Sequence, residues 1–148
     1  ISAVLGSVIE DYEFKAGEKK IKIKIECDDK LTGKINKHLI EQAIGNLVDN
    51  AIKYSDKKTN IEVGAFMKND QLQIYVKDEG YGISDDHIPR LFERFYRVDK
   101  GRSRDEGGTG LGLAIVKHIV NTMNGTIDVE SKPGKGTRFT LNIPQKND

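Results

Sequence analysis

The sequence predicts an α+β chain, a two-layer α/β sandwich whose mixed, mostly antiparallel sheet is covered on one face by three main helices. Three observations carry this expectation. Strand-like segments arrive mostly as hairpins, Asn60 to Met67 with Gln71 to Lys77 and Thr126 to Ser131 with Gly136 to Ile143, which makes neighbours antiparallel. Three longer segments space their apolar residues at a helical period. Strand and helix do not alternate one for one, as a doubly wound parallel sheet requires.

Taken in order, residues 1–16 carry Val4, Leu5, Val8, Ile9 and Tyr12 at helical spacing and end near Gly17. Ile21 to Glu26 alternates strictly between isoleucine and charge, the mark of a half-buried strand with a lysine-rich outer edge. Thr32 to Ile35 is read as a short second strand. Asn36 is the expected N-cap of a helix from Lys37 to about Tyr54, striped by Ile40, Ala43, Ile44, Leu47, Val48 and Ala51. Lys68-Asn69-Asp70 turns the first hairpin. Ser84 followed by Asp85 and Asp86 suits a helix start, and Pro89 is expected to open a short helix to Phe95. Asp99 to Gly108 is polar and aperiodic, so a mobile loop is expected there. Glu106 to Val116 then leads a helix to about Asn124, with Gly125 as its left-handed C-terminal residue.

Composition narrows the function. With 24 basic and 23 acidic residues among 148, the net charge of +1 provides no global field for nucleic acid. A lone cysteine, Cys27, cannot form an internal disulfide and fits a reducing compartment. No apolar run approaches the roughly 20 residues needed to span a bilayer, and no stretch of this sequence has the basic start and apolar middle of a signal peptide. The chain opens at Ile1 and reads as helix from its first residues, so it is expected to be a fragment of a longer protein.

Five stretches carry chemistry. Asn46, Asn50 and Lys53 stand at i, i+4 and i+7, on one face of the second helix and away from its apolar stripe. Amide oxygens suit Mg²⁺, which keeps waters and binds beside substrate phosphates, and an ammonium suits the phosphates themselves. Asp78, at a strand end, can accept from an exocyclic amine, while Gly80 and Gly82 let a flat ring lie against backbone. In Phe92-Glu93-Arg94-Phe95-Tyr96-Arg97, the aromatic residues are expected to pin one end of the loop to the core, and Arg97 can reach a phosphate. Gly108-Thr109-Gly110-Leu111-Gly112-Leu113 runs into a helix start, whose free N–H groups favour negative charge. Gly134-Lys135-Gly136-Thr137 adds a further glycine pair. Each stretch alone reads equally well as a turn or a solvated helix face; together they describe one site with a base reader, a metal and phosphate face, glycine loops and a lid.

This set resembles the catalytic ATP-binding domain of bacterial sensor histidine kinases, within the GHKL ATPase superfamily of the Bergerat fold. Glu41 to Ser55 is similar to the asparagine box, Asp78 to Ile83 to the first glycine box, Leu91 to Arg97 to the phenylalanine box, Gly108 to Leu113 to the second glycine box, and Gly134 to Thr137 to the last. The resemblance covers essentially the whole chain. It implies ATP and Mg²⁺ as cofactors, with Asn50, assisted by Asn46, holding the metal. Lys53 and Arg97 would contact phosphate and, with Asn46, form the catalytic set. Tyr54 would lie along the adenine or ribose, Asp78 would accept from adenine N6, and Thr137 would sit near the base. Gly80, Gly82 and Ile83 would complete the nucleotide pocket, and Gly108, Thr109, Gly110, Leu111, Gly112 and Leu113 would form the lid hinge and the phosphate-facing helix start.

Superfamily members that hydrolyse ATP, such as gyrase, carry a glutamate base where this sequence has Asn46. An amide cannot take a proton from water at neutral pH, so futile hydrolysis is expected to be slow. One departure is Asn36, where many relatives have aspartate. His38, His87 and His118 lack the acceptor signature of an acidic residue after histidine followed by Arg-Thr-Pro. The implied partners are therefore a histidine phosphoacceptor and dimerisation domain of the same protein, a homodimer at full length, and a cognate response regulator. No nucleic-acid partner is expected. The implied location is a cytoplasmic domain of a protein anchored in the bacterial membrane through segments outside this chain. Two alternatives share the fold: a nucleotide-sensing module without transfer, and an anti-sigma-type serine kinase.

Overall fold

The computed structural model describes residues 1–96 and 110–145. Three helices, α1 (Ser2–Glu18), α2 (Lys37–Lys53) and α3 (Gly112–Thr122), accompany five strands, β1 (Lys22–Cys27), β2 (Asn60–Lys68), β3 (Gln71–Asp78), β4 (Thr126–Lys132) and β5 (Gly136–Pro144). The strands form one sheet in the order β1-β2-β3-β5-β4. β1 runs parallel to β2, and every other pairing is antiparallel. The expected two-layer α+β architecture is the one the chain adopts.

Period-two alternation puts Ile61, Val63, Leu72, Ile74, Val76, Phe139, Leu141 and Ile143 on the covered face, all essentially buried. The helices meet them with Leu5, Ile40, Ile44, Leu47, Val48, Val116 and Val120. The opposite face holds polar and amphipathic residues; there Arg138 lies 4.1 Å over the Tyr75 ring and the Tyr75 hydroxyl donates to Glu62 at 2.6 Å. Asn36 caps α2 as expected, its side chain accepting from the Leu39 N–H at 3.1 Å. Lys19, just past the end of α1, donates to the carbonyls of Ile52, Lys53 and Ser55 at 2.9, 3.2 and 3.2 Å. One ammonium thus serves carbonyls at and just past the end of α2 and favours its negative dipole end. Asn69 and Asp70, at φ of 52° and 60°, turn the β2–β3 hairpin in the left-handed conformation those residues tolerate.

Several local expectations are corrected. Residues 32–35 form no strand: the Gln145 side chain, not a neighbouring strand, holds that backbone, accepting from the Lys34 N–H and donating to the Lys34 carbonyl at 3.0 Å. The helix expected from Pro89 to Phe95 shrinks to a 3₁₀ turn at Ile88–Arg90, because successive N–H groups bond three residues back, Arg90 to His87, Leu91 to Ile88 and Glu93 to Arg90. Asn124, at φ 57°, takes the left-handed position expected of Gly125. Gly125 serves another purpose: a Cβ there would lie 2.5 Å from the Asn142 carbonyl oxygen, so its lack of a side chain lets the chain turn closely onto β5.

Candidate nucleotide site

β3 is the central strand, and its last residue, Asp78, stands in register with Ile61 of β2 and Thr137 of β5. The carboxylate is held from both sides. Oδ1 accepts from the Gly80 N–H at 2.8 Å and the Thr137 N–H at 3.2 Å, while the residue is only 7% exposed. Burial raises the Asp78 pKa to about 6, against the lowering effect of those two N–H groups. With Oδ1 committed, Oδ2 is the acceptor left to the adjoining cavity.

That cavity has a volume of about 340 Å³, within the size range of small-molecule sites. From α2, Asn46, Asn50 and Lys53 line it, with Tyr54 just beyond the helix end. Asp78, Gly82, Ile83 and Thr137 contribute from the strand ends and loops, and Gly110, Leu111, Gly112 and Leu113 from the start of α3. The spacing read on α2 therefore does put its polar row on the site. Arg97, Gly108 and Thr109, and the lid expected at Asp99 to Gly108, lie outside the described residues.

The start of α3 opens onto the cavity without a side-chain cap, since Leu111 occupies the N-cap position. Its free N–H groups make that end a place for an anion. The Asn46 amide reaches across to the Gly112 carbonyl at 3.5 Å, joining α2 to α3. Among the described residues no group of three or more His, Cys, Asp or Glu could hold a metal ion. Of the oxygen donors that line the cavity, the neutral amides of Asn46 and Asn50 fit a hard cation that arrives on a ligand's phosphates and keeps its waters.

The loop glycines are required by packing as well. Gly80 does not line the cavity; a Cβ there would sit 2.3 Å from the Tyr54 carbonyl oxygen and 2.9 Å from Asp78 Oδ1. Gly82, at φ +77°, presses on Lys132, and Gly136, at φ +99°, on the Asp78 backbone, with a Cβ at 2.0 and 2.1 Å from the respective carbonyl oxygens. The Gly134 N–H also donates to the Tyr81 carbonyl at 2.6 Å. Close packing of two loops thus sets the frame of Asp78. Ser131 completes it, its hydroxyl accepting from the Ile83 N–H at 2.7 Å and meeting Thr137 Oγ1 at 2.8 Å.

Of the aromatic anchors, Phe92 packs edge-on against Phe139 with ring centroids 6.4 Å apart, as expected. Phe95 does not: its side chain is 68% exposed, and it is its backbone, at φ +66°, that pins the segment, the N–H donating to the Gly110 carbonyl at 2.9 Å. Tyr96 lines the cavity, held by a hydrogen bond between its hydroxyl and His87 Nδ1 and by Arg90 4.4 Å from its ring centre. Sequence reasoning missed Asp49, Tyr81, Leu91, Tyr96 and Ile115 as lining residues. Asp49 had a usable signal, its i, i+4 spacing to Lys53; the two are paired at 2.8 Å.

Residues 35–147 match the family described as histidine kinase-, DNA gyrase B-, and HSP90-like ATPases. The chain is 40% identical over its full length to the sensor-like histidine kinase SenX3 of Mycolicibacterium smegmatis, covering 38% of that protein. It is 46% identical over 84% of its length to the sensor histidine kinase YkoH of Bacillus subtilis, covering 27% of it. The chain therefore spans well under half the length of these relatives. Full-length ShkA, solved in complex with AMPPNP, superposes over the whole chain with a TM-score of 0.86 at 28% identity, 30% of ShkA being covered. The histidine kinase AdeS of Acinetobacter baumannii gives 0.80 at 27% identity, over 98% of this chain and 64% of that one. The chain belongs to the histidine kinase-, DNA gyrase B- and HSP90-like ATPase family, and within it corresponds to the catalytic ATP-binding domain of the sensor histidine kinases.

Proposed function

We propose that this domain binds ATP with Mg²⁺ and transfers the γ-phosphoryl group to a histidine on the dimerisation and phosphoacceptor domain of the same protein, for relay to a response regulator. The observation that carries the reading is Asp78: a buried carboxylate with one oxygen fixed by two N–H groups and the other left to a nucleotide-sized cavity. Such an acceptor suits the N6 amine of adenine. Tyr54 and Ile83 flank the base, and Thr137 frames Asp78 from β5. Lys53 and the open start of α3 receive the phosphates, with Arg97 as a further phosphate contact and Gly108 and Thr109 completing the approach to α3.

Asn50, assisted by Asn46, would hold the metal. Bound there, Mg²⁺ supplies charge neutralisation on the phosphates. In the transfer, a ring nitrogen of the acceptor histidine forms a bond to the γ-phosphorus as the bond to the departing ADP oxygen breaks. This chain's residues contribute position and charge, Lys53 and Arg97 on phosphate oxygens, and Asn46 provides no base that would activate water instead. The length of the relatives supports placing the acceptor, dimerisation and sensor portions, and any membrane anchor, outside this chain.

Labelled ATP mixed with this domain and a histidine-bearing helical domain tests the reading. Acid-labile label on the partner is expected. Acid-stable label would indicate a serine kinase on the same fold, and tight Mg·ATP binding without label a sensing module. At the site, Asp78→Asn is expected to weaken ATP binding far more than Asn46→Asp; equal, small effects would overturn the assignment of Asp78 as base reader.

A further inference from the structure

We propose that Asp49 is the counter-ion that holds Lys53 away from the phosphate position while the cavity is empty, and that Lys15 takes over the Asp49 charge when Lys53 turns to a phosphate. The proposal rests on the reading of Lys53 as a phosphate contact. A carboxylate on the wall of an anion site is a liability, because it repels the ligand. Asp49 nevertheless lines the same cavity as Asn46, Asn50 and Lys53.

Its two oxygens are divided between two ammonium groups. Oδ2 pairs with Lys53 at 2.8 Å, one turn further along α2, and Oδ1 pairs with Lys15 of α1 at 3.2 Å. The cations stand differently toward the site. Lys53 lines the cavity, whereas Lys15 does not and is 59% exposed. Release of Lys53 therefore leaves Asp49 with a partner on the far side. With both oxygens engaged by lysines, Asp49 is matched to cations of the protein and not to an incoming metal.

The pair is also suited to exchange. Lys53 and Asp49 are 29% and 22% exposed, so solvent screens them and the bond between them is weak enough for a polyphosphate to compete. The acid precedes the base by one turn, the favourable order on a helix, so the resting contact is formed without strain. Asp49 would thus set how much of Lys53's charge a ligand obtains. Polyphosphate affinity is tuned by it, while adenine recognition at Asp78 is left alone.

Calorimetric titration of the 148-residue chain with ATP, ADP and adenosine, in Mg²⁺ at low and high salt, tests this. Asp49→Asn is expected to tighten ATP and ADP binding by roughly three- to tenfold, with adenosine unchanged and the gain shrinking in high salt. Lys15→Gln is expected to weaken ATP roughly twofold or more in the wild-type background and to have no effect on top of Asp49→Asn, as a coupled pair requires. An Asp49→Asn variant that binds ATP more weakly, or an unchanged ATP-to-adenosine ratio, overturns the proposal. So does a Lys15→Gln effect of equal size in both backgrounds. Wild-type protein that binds ATP no more tightly than adenosine would instead overturn the phosphate role of Lys53, and absence of any ATP binding the nucleotide reading itself.

Discussion

Replacing Asp78 with asparagine separates what this residue does for the fold from what it does for a ligand. Asparagine keeps the shape and one carbonyl oxygen, so the Gly80 and Thr137 N–H groups retain their acceptor. It removes a buried charge whose pKa stands at about 6, against 3.8 for an ordinary aspartate. The folded state holds its proton more tightly than the unfolded state, so by linkage stability falls as pH rises from about 4 to 6 and then levels off. A carboxyl raised this far carries a penalty of about 3 kcal/mol on its ionised form above pH 6. The empty Asp78→Asn domain is therefore expected to be more stable than wild type at pH 8, by up to about 3 kcal/mol or roughly 5–10 °C in Tm. At pH 4 the two should coincide. Adenine binding moves the other way: the amide presents N–H₂ where an acceptor is needed, with a loss of about 2–4 kcal/mol, roughly 30- to 1,000-fold in Kd. Scanning calorimetry at both pH values and titration with ATP provide the readings. A stability gain that persists at pH 4, or its absence at pH 8, would refute the electrostatic account; unimpaired ATP binding would refute the ligand role.

Three further outcomes are expected. Adenosine carries no phosphate to titrate, so its affinity for wild type should fall as pH drops through about 6, following Asp78, and this fall should be missing from Asp78→Asn. Gly82→Ala, at φ +77° with a Cβ 2.0 Å from the Lys132 carbonyl oxygen, should cost about 2–4 kcal/mol in urea denaturation, whereas Gly134→Ala, at φ +79° with open space around it, should cost only about 1. Lys19→Met removes a charged donor from three carbonyls at and just past the end of α2 and should lower stability by about 1–3 kcal/mol in the same assay; an unchanged midpoint would mean that water replaces the ammonium at no cost.

The parts of the fold that were legible in the sequence are those in which one face is buried. Ile40, Ile44, Leu47 and Val48, or Leu72, Ile74 and Val76, repeat at the period of their element because the core is a single surface. The parts that were not legible depend on a distant partner. No local pattern announces that Gln145 would take the backbone of Lys34, or that Phe95 would enter left-handed space to meet Gly110. At the site, Asn46, Asn50 and Lys53 were readable because helix geometry alone places them together. Asp49 shares their face but has the wrong charge for an anion site, and its place follows only once Lys15 of another helix is seen behind it. The glycines of the loops invited a reading in terms of ligand approach, yet Gly82 and Gly136 are required by each loop's closeness to the next.

The contact between Phe95 and Gly110 has a consequence for how such a chain can diversify. The Phe95 N–H meets the Gly110 carbonyl at 2.9 Å, so the two ends of the stretch between them are tied together. Once the ends of an excursion are fixed, doubling its length adds only about 0.6 kcal/mol of closure entropy. Length between these two residues is therefore nearly a free variable for the core. A longer or shorter segment exchanged at this junction would leave β3 and the Asp78 frame as they are.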